Sequence, residues 1–109
     1  MNTNLVSIIT PSYNSETFIK DTILSVLNQT FQNFEIIIVD NGSSDNAINN
    51  LRSIWPSLDI KIEKLDSNKG FAIANNIGAN LAEGKWLALL NADAFPLPTW
   101  LEHLLRAAE

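Results

Sequence analysis

The chain has 109 residues, of which 46% are hydrophobic and 17% charged, and its formal net charge is −5. This composition suits one folded domain with a sizeable core and excludes a disordered chain. The absence of cysteine excludes disulfides and thiolate metal sites, and seven scattered Lys and Arg residues argue against a nucleic-acid partner.

The start, Met1-Asn2-Thr3-Asn4, is polar and lacks the basic and apolar stretches of a signal peptide. No apolar run approaches the ~18 residues of a membrane span. The expected location is cytoplasmic, with docking on the inner face of a membrane left open. Leu5 to Thr10 reads as a first strand stopped by Pro11. Ser15 is a candidate N-cap with Glu16 in the first turn, and Ile19, Ile23, Val26 and Leu27 then fall on one helical face.

Phe34 to Val39 is nearly continuous in apolar residues, as in a strand buried on both faces. Asp40-Asn41-Gly42 follows. Asn-Gly usually marks a hairpin, but Ala47, Ile48, Leu51, Ile54 and Trp55 continue at helical spacing. Gly42 therefore reads as a tight strand-to-helix turn, with Ser44 or Asp45 as N-cap. Pro56 ends that helix.

Leu58 to Leu65 alternates apolar and polar residues, which predicts a strand toward a sheet edge. The loop 66–70 leads into a helix over Phe71 to Ala82. Its small row Ala74, Gly78, Ala82 allows close approach to a sheet, and Gly84 fits a left-handed position after the helix. Lys85 to Leu90 is the fourth strand, again read as buried on both faces. Pro96 and Pro98 precede a last helix with Trp100, Leu101, Leu104 and Leu105 on its apolar side.

The β-α-β-α-β-α-β-α order predicts an α/β fold, three layers around a mostly parallel four-stranded Rossmann-like sheet, with strand order 3-2-1-4. Ligands bind such sheets at the carboxyl ends of the strands. Asp40 and Asp93 should both stand there, just past their strands. Asp40 reads either as an acceptor for a base or ribose, or as the Asx turn that starts a helix. Asn91-Ala92-Asp93 offers two oxygen-bearing side chains two residues apart. Mg²⁺ and Mn²⁺ favour such hard ligands together with phosphate oxygens.

Tyr13, in the turn Pro11-Ser12-Tyr13-Asn14, reads as a base-stacking residue or a half-buried core tyrosine. Gly70 reads as a phosphate-facing amide or a plain helix entry. Asn75 and Asn76 face either the site or water. His103 lies off the apolar face, and Trp55, Trp86 and Trp100 read as core. No dinucleotide or Walker glycine loop is present. A regulatory module with Asp40 as phospho-acceptor shares this α/β order. It requires an acidic pair after the first strand, where this chain has Pro11, Ser12 and Tyr13.

In order along the chain, Val6 to Asn14, Ser25 to Thr30, Glu35 to Asp45, Asn68 to Gly78 and Ala82 to Asp93 resemble the N-terminal half of family 2 glycosyltransferases, which have the GT-A fold. The resemblance covers almost the whole chain. It implies binding of a UDP- or dTDP-linked nucleotide-diphospho-sugar and transfer to a glycan or lipid-linked acceptor in surface polysaccharide synthesis. Pro11 and Tyr13 would border the nucleoside, Asp40 would accept from the pyrimidine base, and Gly70 would adjoin the donor. Asn91 and Asp93 occupy the Asp-x-Asp position, where Asp93 would bind Mn²⁺ or Mg²⁺. Glu16 matches a recurrent acidic position of the family.

Asn91 replaces the usual first carboxylate, a variant that resembles the rhamnosyltransferase-like branch, and Asn75 stands where an arginine is common. One carboxylate fewer should weaken metal affinity. Residues 1–109 then read as a single donor-binding half, without the acceptor half or a general base and inactive alone. Its uncovered surface would favour a homodimer.

Overall fold

A computed structural model of the chain describes residues 5–108. The polar start Met1 to Asn4 lies outside the described residues.

The elements are β1 (Val6–Ser12), α1 (Ile19–Leu27), β2 (Phe34–Asp40), α2 (Ala47–Ile54), β3 (Ile60–Lys64), α3 (Phe71–Leu81), β4 (Trp86–Leu89) and α4 (Trp100–Ala108). The strands form one sheet in the order β3-β2-β1-β4, and every pairing is parallel. This is the predicted topology. Parallel pairing of β2 with β3 also disposes of a hairpin at Asn41-Gly42. Gly42 instead turns the chain at φ 80°, and a Cβ there would lie 2.6 Å from the Ser67 carbonyl carbon.

The strand pleat divides the core in two. Val6, Ile8, Ile36, Ile38, Ala88 and Leu90 pack against α1, α2 and Leu101 of α4, with the three tryptophans half-buried around them. On the other face Ile9, Ile37 and Val39 pack under Ala74 of α3. A Cβ on Gly78 would collide with Ile9 Cγ2, so the small row of α3 sets its close approach.

Several local expectations need correction. Pro11 does not stop β1, which continues to Ser12 in register with Asp40. Ile9 accepts from Leu90 on the β4 side, and Ser12 accepts from Asn41 on the β2 side. By alternation Pro11 faces the β4 side, where pairing ends at Ile9, so its missing N–H breaks no ladder bond. Asp40 is the last residue of β2 and is buried, not just past the strand. Ser15 caps nothing with its hydroxyl, which bonds Ser12 Oγ; its carbonyl accepts from Phe18 and Ile19 to form the entry turn.

Gly84 is not left-handed. It is small because a Cβ there would meet Leu5 O and Ser7 N, each at 2.8 Å. The positive φ near α3 belongs instead to Gly70, at φ 92° before the helix. β4 is not buried on both faces. α3 packs mainly on β1 and β2, and Leu87 and Leu89 of β4 are 51% and 55% exposed. On α4 only Leu101 is buried, and Leu104 faces outward with His103.

Candidate functional site

The C-terminal edge of the sheet is built from two linked turns. After β1, Asn14 adopts φ 49°, a conformation that Asn tolerates better than most residues. Its amide donates to Ser43 Oγ and its side-chain oxygen accepts from Ser44 N, both at 2.9 Å. Asp45 adds two bonds: Oδ2 accepts from Glu16 N and Oδ1 from Ala47 N, the first amide of α2. The turns after β1 and β2 are thereby fixed to one another, and Tyr13 projects from them at 53% exposure. It is no core tyrosine.

Tyr13, Pro11, Asn14 and Phe71 line an open cleft of about 340 Å³ whose other wall is Asn91, Ala92 and Asp93. Asn91 and Asp93 are exposed, while Ala92 between them is buried in the core. A turn closed by Ala94 N donating to Asn91 O holds the two oxygen-bearing side chains at the end of β4. Tyr13, Pro11 and Phe71 also border a smaller recess with Asn41 and Asn68. The structure thus gathers Pro11, Tyr13, Asn91 and Asp93 into one cleft. No Lys or Arg lines it among the described residues.

The other expected site residues stand outside that lining. Asp40 Oδ1 accepts from Ser43 N at 3.2 Å, the Asx-type turn. Gly70 N–H is taken by Asn68 Oδ1 at 2.9 Å and its carbonyl by Asn41 Nδ2, which leaves Phe71 as the residue of that loop in the cleft. Glu16 turns to α2, accepting from Asn50 Nδ2 at 3.2 Å. Asn75 is buried with its side-chain oxygen unpartnered, and Asn76 is exposed.

Phe71, Asn14 and Asn41 were not singled out by sequence reasoning. The available signal was an aromatic after a glycine and amides clustered after two strands.

Among the described residues no group of three His, Cys, Asp or Glu side chains is placed to hold a metal. A divalent ion here would have Asp93 and the Asn91 amide oxygen as protein ligands. That donor set fits Mg²⁺ or Mn²⁺ only when phosphate oxygens and water complete it.

A crystal structure of Staphylococcus aureus TarS residues 1–349 in complex with UDP-GlcNAc superposes with a TM-score of 0.84 at 27% identity, over 93% of this chain and 30% of that one. The fold is that of a GT-A-type glycosyltransferase. The sequence model for Glycosyl transferase family 2 matches residues 7–109, and the chain belongs to that family. A glycosyltransferase of Haemophilus influenzae is 40% identical over 99% of this chain and 34% of its own length. The Escherichia coli UDP-Glc:alpha-D-GlcNAc-diphosphoundecaprenol beta-1,3-glucosyltransferase WfgD is 39% identical over 94% of this chain and 40% of its own length. The chain spans a little over a third of these relatives.

Proposed function

We propose that this chain binds a UDP- or dTDP-linked sugar in the cleft between Tyr13 and Asp93. It supplies the donor side of glycosyl transfer to a glycan or lipid-linked acceptor in surface polysaccharide synthesis. The observation that carries the reading is the meeting of Asn91, Asp93 and Tyr13 in one cleft at the carboxyl end of a parallel sheet. Kinship with a protein solved with UDP-GlcNAc and with one that uses UDP-Glc and a diphosphoundecaprenol-linked acceptor supports both halves of it.

In this reading Tyr13 and Phe71 flank the nucleoside, with Pro11 shaping the floor beneath it. Asp40 contributes the acceptor edge for the base from behind, and Gly70 sets the entry of α3 beside it. Asp93 and the Asn91 oxygen hold Mn²⁺ or Mg²⁺. A diphosphate entering a cleft that contains Asp93 and no cationic lining needs its charge offset, and this argues for the ion. When bound, the ion stabilises the negative charge that develops on the departing diphosphate as the sugar–phosphate bond breaks. With Asp93 so engaged, no lining carboxylate or imidazole remains to deprotonate an acceptor hydroxyl. The reading therefore assigns acceptor binding and activation outside residues 5–108, leaving this chain as a donor-binding portion.

Calorimetric titration with UDP, dTDP and GDP in the presence of Mn²⁺ tests it. Binding of a pyrimidine diphosphate, with GDP at least tenfold weaker, is expected. Heat from none of them contradicts the proposal.

A further inference from the structure

Helix α1 and the turn just past its end are fastened to the segment that follows β4 at two places. Thr22, fully buried, donates from Oγ1 to the Ala92 carbonyl at 2.5 Å, while also reaching Phe18 O at 3.2 Å. Two turns later Gln29, also buried, donates from Nε2 to Leu97 O at 2.7 Å and accepts on Oε1 from Leu101 N at 3.0 Å. Thr30 N adds a bond to Pro98 O at 2.8 Å. These bonds splint one stretch of chain from both ends.

The first fastening falls inside the Asn91-Ala92-Asp93 loop. The Ala92 carbonyl belongs to the peptide plane that ends in the Asp93 amide, and peptide planes are rigid. Fixing that carbonyl fixes the plane and the Asp93 Cα at its end, and the Ala94 N–H bonded to Asn91 O holds the chain on the other side of Asp93. The buried Ala92 methyl group prevents the loop from rotating as a unit. Nothing else among the described residues bonds the Ala92 carbonyl.

We propose that Thr22 is a positioning residue. Through the Ala92 carbonyl it holds the Asp93 carboxylate and the Asn91 amide in the geometry that receives the cation and diphosphate. The inference rests on the donor-site reading above but makes a separate claim about loop order. It also explains how one carboxylate and one amide, each exposed, form a defined site without a third protein ligand. A flexible pair would lose much of its affinity in ordering.

The test uses the 109-residue chain with Thr22→Val, which removes the hydroxyl at similar volume, Thr22→Ser, which keeps it, and Thr22→Ala, which leaves room for water if the valine variant does not fold. Amide hydrogen exchange is read first, without ligand. The Ala94 amide, bonded across the loop, should exchange at least tenfold faster in the valine or alanine variant. The Ile23 and Val26 amides of α1 should be unchanged, and serine should restore the wild-type rate. Equal acceleration along α1, or no change at Ala94, overturns the proposal.

UDP affinity with and without Mn²⁺ is read second. Loss of the hydroxyl should weaken binding with Mn²⁺ about tenfold and leave metal-free binding within twofold. Wild-type affinity with Mn²⁺ in the valine or alanine variant overturns the positioning role. A wild-type chain that binds neither UDP nor dTDP overturns the donor-site reading, while hydrogen exchange still decides whether Thr22 orders the loop.

Discussion

Two side chains at neighbouring strand ends, Tyr13 and Asp40, are used in opposite ways. The tyrosine is 53% exposed and walls the cleft; the aspartate is 6% exposed and accepts from Ser43 in its own turn. Both alternatives for each could be written from sequence, but the choice depends on burial, which a residue's type does not fix. The placement of Asn91 and Asp93 at the carboxyl end of β4 was legible because the alternating strand and helix order sets a parallel sheet, whose strands all end at that edge. Gly70 and Glu16 were not resolvable, since their partners Asn68 and Asn50 come from local turn geometry and from a helix packed 34 residues away. At this scale Tyr13→Ala should weaken UDP binding by roughly five- to 150-fold, the loss of one stacking contact of about 1–3 kcal/mol. Its melting temperature should match wild type, because the ring contributes little to the core. A titration with unchanged affinity would remove Tyr13 from the site.

Strands and helices were the most legible level. Apolar runs against alternation separated the inner strands from β3, and the order 3-2-1-4 was one of those that right-handed crossovers permit. Glu35 escaped notice inside such a run. Its Oε2 accepts from Ser7 Oγ at 2.5 Å and from Glu83 N at 2.7 Å, while Oε1 pairs with Lys61 Nζ at 2.9 Å, joining β1, β2, β3 and the end of α3. Burial raises its pKa, but the Ser7 hydroxyl, the Glu83 amide and the Lys61 ammonium outweigh that and hold it below its ordinary value of 4.5.

A lowered carboxylate pKa contributes stability that is present above the unfolded value and lost as pH falls through the folded one. Thermal melts of wild type and Glu35→Gln should therefore differ from neutral pH down to about 5 and converge under more acidic conditions. A difference that holds constant into strong acid would deny the ionised network. At the contact of α3 with the sheet, Gly78→Ala puts a methyl group against Ile9. The cost should be about 1–3 kcal/mol, seen as a lower urea midpoint with unchanged slope.

The whole molecule has one well-covered face and one partly bare one. Three helices cover the first, whereas α3 alone lies on the second and leaves Leu87 and Leu89 of edge strand β4 exposed beside an unpaired backbone edge. An uncovered surface was expected from sequence, but its place on β4 was not, because β4 is as apolar as a strand covered on both sides. Edges of this kind pair with other chains. Sedimentation velocity should show the 109-residue chain associating with rising concentration, and Leu89→Lys should reduce it. A clean monomer throughout would show that the edge is adequately shielded.

The central claim is that the Asn91–Asp93 loop and Tyr13 form a cation-dependent donor site. The most direct measurement is the thermal shift of wild type and Asp93→Ala with UDP-sugars and dTDP-sugars, each with and without Mn²⁺. Ligand at a hundred times its dissociation constant adds about 2.7 kcal/mol of stability, a shift of many degrees for a domain this small. The account predicts a Mn²⁺-dependent rise in wild type that Asp93→Ala abolishes. A rise of equal size in the variant, or none in wild type with any pyrimidine diphospho-sugar, would contradict it.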